Sequence, residues 1–164
     1  MTIDIDATVS RGSFSLHVST HVEDGSVVAV LGPNGVGKST LLRAVAGLHP
    51  IESGTVAMDG RVVDDAGLIW VPPRDRLVGY VPQDYALFPH LSVRQNVAFG
   101  PRSRGVGRAE AGRMADATLA RLGIADLADR RPGQLSGGQA QRAALARALA
   151  TAPRALLLDE PLAA

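Results

Sequence analysis

The hydrophobic rhythm changes several times along the chain, and each change marks an element. Phe14, Leu16 and Val18 alternate with Ser15, His17 and Ser19, a period of two that predicts a half-buried strand. Val27-Val28-Ala29-Val30-Leu31 is an unbroken apolar run between Gly25 and Gly32, the pattern of a strand buried on both faces. The period then lengthens: Leu41, Leu42, Val45, Ala46 and Leu48 share one helical face, and Gly47 offers a stop. Thr55–Met58 and Arg61–Val63 flank Asp59-Gly60, a pair that accepts the positive φ of a tight turn and so predicts a hairpin. Leu77–Pro82 reads as a further short strand. From Asp84 to about Gly133, Arg, Ala and Gly prevail, with helical spacing around Ala109–Leu122, and a helical subdomain inserted into an α/β core is expected. Ala140–Ala150 reads as an Ala-rich helix, and Ala155-Leu156-Leu157-Leu158 as a buried strand ending at Asp159-Glu160. Strand, helix and strand in this order favour a mainly parallel sheet.

The 164 residues suffice for one domain with a real core. Hydrophobic content of 46% with 20% charged residues excludes a disordered chain. Seventeen Lys and Arg against sixteen Asp and Glu leave a net charge of +1, which gives no case for a nucleic-acid surface or a polybasic membrane patch. There is no cysteine, hence no disulfide framework and no thiol nucleophile. The acidic start, Met1-Thr-Ile-Asp-Ile-Asp, lacks the basic and apolar regions of a signal peptide. No stretch approaches the roughly 18–20 uncharged apolar residues that span a bilayer, so a cytosolic chain is expected.

Gly32-Pro33-Asn34-Gly35-Val36-Gly37-Lys38-Ser39 fits G-x-x-x-x-G-K-[ST] between an expected strand and an expected helix, the context this phosphate-binding loop needs. Its glycines let phosphate oxygens approach backbone N–H groups, and the helix beginning near Lys38 turns its positive end to the same anion. Lys38 adds a point charge for the β- and γ-phosphates, and the Ser39 hydroxyl suits Mg²⁺. Asp159 and Glu160 stand at the C-terminal end of a strand, where ligands of open α/β sheets gather. One carboxylate can serve Mg²⁺ and the other can deprotonate an attacking water.

Leu135-Ser136-Gly137-Gly138-Gln139 opens the Ala-rich helix, 98 residues after Lys38 and 23 before Asp159 counted from Ser136. Ser136 and Gln139 satisfy a capping box. Capping leaves the two glycines unexplained, since each costs up to about 1 kcal/mol against Ala in a helix. Glycines at a helix N-terminus admit a second phosphate to its exposed N–H groups.

With these residues in this order and spacing, the chain resembles the ATPase subunit of ABC transporters over essentially its whole length. The resemblance implies an α/β fold: a P-loop NTPase core with a mainly parallel sheet, an N-terminal antiparallel β subdomain and an inserted helical subdomain. It implies a core of residues 1–83 and 151–164, with the helical subdomain at 84–150. It implies ATP and Mg²⁺ as cofactors, with Gly32 to Ser39 and Thr40 at the nucleotide. Two copies would face head to tail, so that Ser136, Gly137, Gly138 and Gln139 of one act on the ATP of the other. Asp159 would serve Mg²⁺ together with Ser39, and Glu160 would be the general base. Gln83, after Val81-Pro82, stands where the family has a glutamine that contacts Mg²⁺ and the attacking water.

The stretch Arg76–Gly100 resembles bacterial importer ATPases, most of all those for molybdate, with sulfate and iron(III) relatives. In such proteins the segment after the glutamine receives a membrane permease, so Tyr85, Leu87, Phe88 and Pro89 become expected apolar contacts, with burial in the chain's own core as the other reading. A peripheral position on the inner face of the cell membrane follows. The family's adenine-stacking aromatic has no counterpart between Val9 and Gly12, and Phe14, the nearest, reads as core. The family's switch histidine has none either, because His17, His21, His49 and His90 all precede the acidic strand. The chain therefore reads as part of a longer ATPase. A nucleotide-binding module without turnover, or an ABC ATPase outside transport, remain the alternatives.

Overall fold

Period-two alternation builds the first sheet. In the computed structural model, which describes residues 1–12 and 14–161, strand β1 (Ile3–Arg11) buries Ile3, Ile5, Ala7 and Val9 and turns Asp4 and Asp6 to solvent. Strand β2 (Phe14–Val22) pairs antiparallel with it, from Ile3 opposite Val22 to Arg11 opposite Phe14. On the other side of β1 lies β3 (Ser53–Met58), also antiparallel. It turns through Asp59 and Gly60, at φ 49° and 74°, into β4 (Arg61–Asp65), the expected hairpin. Strand β5 (Ile69–Trp70) completes the order β2-β1-β3-β4-β5, and every ladder in it is antiparallel.

Helix α1 (Lys38–Val45) packs on β1 and buries Thr40, Leu41, Ala44 and Val45. Arg76 closes its far end. The guanidinium donates to Ala44 O (2.9 Å), Val45 O (3.2 Å), Val71 O (2.8 Å) and Asp64 Oδ2 (2.8 Å). A buried cation thus sits on the negative end of the helix dipole, with a buried carboxylate as its counter-ion. These elements form one compact unit, Met1–Val78, and a second begins at Gly79.

In the second unit, strands β6 (Val78–Val81) and β7 (Ala155–Leu158) lie side by side. Gly79 is against Leu156, and Asp159 N–H donates to Val81 O (3.0 Å), so both strands advance in the same direction. Between them in the chain come α2 (Val93–Ser103), α3 (Arg108–Arg121) and α4 (Gly137–Leu149). Their core joins Val93, Val97, Ala115, Leu119, Ala143 and Ala146, and the small alanines let the helices approach closely. Ser92 caps α2 through reciprocal bonds with Gln95, and Arg94 ties α2 to Asp116 of α3 (2.6 Å) and to Asp129 (2.8 Å).

The antiparallel subdomain and the helical subdomain match the expected fold class, but two elements are corrected. Val27–Leu31 forms no strand and is not buried: Val27 is 98% exposed and Leu31 89%. An apolar run becomes a buried strand only with ladder partners and cover on both faces, and among the described residues it has neither. Ala155–Leu158 is a strand, yet half-exposed rather than buried, because among the described residues β6 is its one neighbour in the sheet. The sequence reading also passes over β1, although Ile3, Ile5, Ala7 and Val9 alternate with Asp4, Asp6 and Thr8.

Candidate functional site

The residues singled out in the sequence fall into two groups, one in each unit. In the first, the loop from Gly32 runs into the first turn of α1. Gly37 is the N-cap at φ 91°, and a Cβ there would lie 2.6 Å from Cε1 of Phe14, so both backbone and space demand glycine. Phe14 is half-buried, with its ring edge on this glycine. Lys38 turns back over the loop, its Nζ donating to Gly32 O (2.8 Å) and Pro33 O (2.9 Å). The ammonium is therefore held next to the loop backbone, where the first-turn N–H groups of α1 lack intrahelical acceptors. Gly32, Pro33, Asn34 and Gly35 are exposed, and Val36 to Ser39 are half-buried. An anion reaching this loop meets a fixed cation and a helix N-terminus together.

In the second unit, β7 delivers Asp159, 4% exposed, whose Oδ2 accepts from the Tyr80 hydroxyl of β6 (3.1 Å). Glu160 follows in the left-handed region at φ 51°, a conformation that costs a non-glycine residue about 1–2 kcal/mol. Strain of this kind concentrates at functional positions. The exposed Glu160 carboxylate accepts from Gln83 Nε2 at 2.6 Å, so two candidates 77 residues apart are brought together. A cavity of about 250 Å³ opens beside them, lined among others by Pro82, Tyr85, Gln141, Leu145, Asp159 and Glu160.

Ser136 caps α4: its Oγ accepts from Gln139 N–H (3.4 Å), and Gln139 Oε1 accepts from Ser136 N–H (3.0 Å). Gly137 and Gly138 are exposed, neither has a positive φ, and a Cβ on either would meet nothing within 4 Å. Nothing within the described chain therefore requires glycine at these positions. Gln141 Nε2 donates to Pro161 O, which links α4 to the acidic strand end.

Of the four residues expected at a permease, Tyr85, Leu87 and Phe88 are half-buried and Pro89 is exposed. Their turn is fastened by Asn96, a fully buried side chain that accepts from Phe88 N–H (2.8 Å) and donates to Phe88 O (3.1 Å) and Ser92 O (3.0 Å). The Phe88 ring lies 4.6 Å from that of Phe99, which is 47% exposed. The sequence reading assigns no role to Tyr80 or Asn96. Tyr80 acts through a carboxylate 79 residues away, and Asn96 through backbone groups of the turn just before it, and neither contact is announced by a sequence motif.

Comparison with known proteins shows the family. A family model described as ABC transporter matches residues 16–163. The chain is 50% identical over 161 residues to the sulfate/thiosulfate import ATP-binding protein CysA of Mycobacterium tuberculosis, covering 97% of this chain and 44% of that protein. It is 52% identical over 158 residues to the Fe(3+) ions import ATP-binding protein FbpC of Streptomyces coelicolor (95% and 44%), and 53% identical over 153 residues to the molybdenum import ATP-binding protein ModC of M. tuberculosis (90% and 41%). The chain thus spans less than half the length of these relatives. Among solved structures, the dimeric post-hydrolysis state of the ATP-binding cassette MJ0796 bound to ADP and Pi is similar at a TM-score of 0.82 and 30% identity, covering all of this chain and 75% of that one. The chain belongs to the ABC transporter family, and these curated relatives are ATP-binding proteins of importers.

Proposed function

We propose that this chain binds MgATP and hydrolyses it to ADP and phosphate as the ATP-binding part of a bacterial importer. The observation that carries the reading is the Gln83–Glu160 hydrogen bond at the end of β7. A carboxylate oriented by an amide is the arrangement that holds an attacking water and takes its proton. Gly32 to Thr40 would hold the triphosphate, with Lys38 on its β- and γ-phosphates. By the family resemblance the Ser39 hydroxyl, the Asp159 carboxylate and the Gln83 amide oxygen would serve Mg²⁺, and each is the hard oxygen donor this ion takes. When bound, the ion neutralises charge on the phosphates. Ser136, Gly137, Gly138 and Gln139 would complete the site of a second copy arranged head to tail. That role supplies the partner that the otherwise unneeded glycines imply.

The segment around Tyr85–Pro89 would meet the permease, with its half-buried aromatics giving apolar contact area. Such a partner puts the chain on the inner face of the cell membrane, and no helix among the described residues is long and apolar enough to cross one. For cargo we propose molybdate or a related oxyanion. The support is the resemblance over Arg76–Gly100; the relatives for molybdenum, sulfate and iron(III) match to similar extents, at 53%, 50% and 52% identity.

Steady-state phosphate release tests the enzymatic reading. In Glu160→Gln, release should fall by at least about 100-fold, the range for losing a general base, while ATP affinity stays within about threefold. Equal release in both proteins would remove Glu160 from the chemistry. Stoichiometric ATP binding without release by the unaltered chain would make it a binding module.

A further inference from the structure

Helix α4 carries Ser136 at its N-cap and Arg147 in its last turn, about 16 Å further along at 1.5 Å per residue. The Arg147 guanidinium donates through Nη2 to Tyr85 O (2.9 Å) and through Nη1 to Ala86 O. Its central carbon lies 5.5 Å from the centroid of the Phe88 ring, within cation–π range. Tyr85 and Ala86 are both left-handed, at φ 60° and 44°. Two successive non-glycine residues in this region persist only where their surroundings fix them. Their N–H groups are used within the turn, Tyr85 to Pro82 O (3.0 Å) and Ala86 to Asp84 O (2.7 Å). The two carbonyls both accept from one forked donor, and a planar guanidinium suits two acceptors where an ammonium does not. Burial pushes the Arg147 guanidinium below its ordinary value, and the nearby Asp84 acts the other way. The cation is drawn out of water onto this turn, with carbonyls and a ring face in place of hydration.

We propose that Arg147 is a positioning residue: by gripping the left-handed Tyr85–Ala86 turn it sets Gln83, two residues earlier, beside Glu160. It makes α4, capped by Ser136 at its other end, the member to which that contact is fastened. The consequence for turnover rests on the proposed function; the consequence for the turn does not.

The test uses Arg147→Met, which keeps an apolar stem and loses the fork, and the same change combined with Ala86→Gly, since glycine enters the left-handed region at little cost. The chain has two tyrosines, Tyr80 and Tyr85, so labelling with 3-fluorotyrosine gives two ¹⁹F resonances, assigned through Tyr80→Phe. In Arg147→Met the Tyr85 resonance should move or broaden while that of Tyr80 stays. Adding Ala86→Gly should return it more than halfway. For MgATP, kcat should fall about tenfold with KM within about twofold, and should recover in the double variant. A Tyr85 resonance that stays put, or a kcat that is unchanged once it has moved, overturns the proposal. If Arg147→Met does not melt cooperatively, Arg147→Lys decides by the same readout, because it keeps the charge without the fork. Absence of hydrolysis by the unaltered chain would refute the function proposed above, and the ¹⁹F comparison would still decide the role of Arg147.

Discussion

Removing the Asp64 carboxylate would leave the Arg76 guanidinium buried against Ala44 O, Val45 O and Val71 O without its counter-ion. Asp64→Ala should therefore destabilise the chain by about 3–5 kcal/mol, the cost of breaking a buried pair from one side. Urea unfolding measures this, and a loss under about 1 kcal/mol would contradict the structural role given to the pair. Neither residue stands out in the sequence, because the pair is made where the chain after β4 folds back onto the end of α1. The loop Gly32–Ser39, the pentad Leu135–Gln139 and the acids Asp159 and Glu160 were legible because each motif is contiguous and its chemistry lies in its own residue types. Gln83 was legible through family resemblance alone; as a lone glutamine it reads as an exposed loop residue. Tyr80 and Arg147 were invisible, since each acts on a carboxylate or carbonyl brought near only by tertiary packing, and Asn96 was invisible because it fastens a turn that carries no motif.

At the scale of elements, α4 separates what the fold needs from what a partner needs. Gly138→Ala should leave the chain as stable or raise its stability by up to about 1 kcal/mol, because alanine favours the helix and its Cβ meets no neighbour. The same variant in a Glu160→Gln background should fail to dimerise with MgATP, where Glu160→Gln alone dimerises. Thermal melting and light scattering read the two effects, and undiminished dimerisation would contradict a role for the pentad between copies. Element types followed from period wherever an element satisfies itself. The β3–β4 hairpin carries its own turn in Asp59-Gly60, and α3 and α4 make their own hydrogen bonds. Val27–Leu31 failed because apolar composition reports what a strand could bury and says nothing of which strand lies beside it. The same reason explains the partial exposure of β7, whose three leucines promise more cover than one neighbouring strand gives.

Across the whole molecule, the candidate site residues divide between the two units: the first holds the loop and Lys38, the second holds Gln83, the pentad, Asp159 and Glu160. Near-neutral charge and 46% hydrophobic content set the chain among globular proteins but point to no particular ligand. The family was legible at this scale because three motifs stand in one order and spacing, and the family model matches residues 16–163. Cargo was not legible, since relatives named for sulfate, iron(III) and molybdenum match to similar extents. The proposed function requires that the loop beginning at Gly32 bind the phosphates of ATP. Calorimetric titration of ATP into the unaltered chain and into Lys38→Ala tests it most directly. Loss of the ammonium now held by Gly32 O and Pro33 O should weaken binding about 100-fold, as expected for a charge-assisted contact to phosphate, with the melting temperature little changed. Equal affinity in the two proteins would contradict the account at its base.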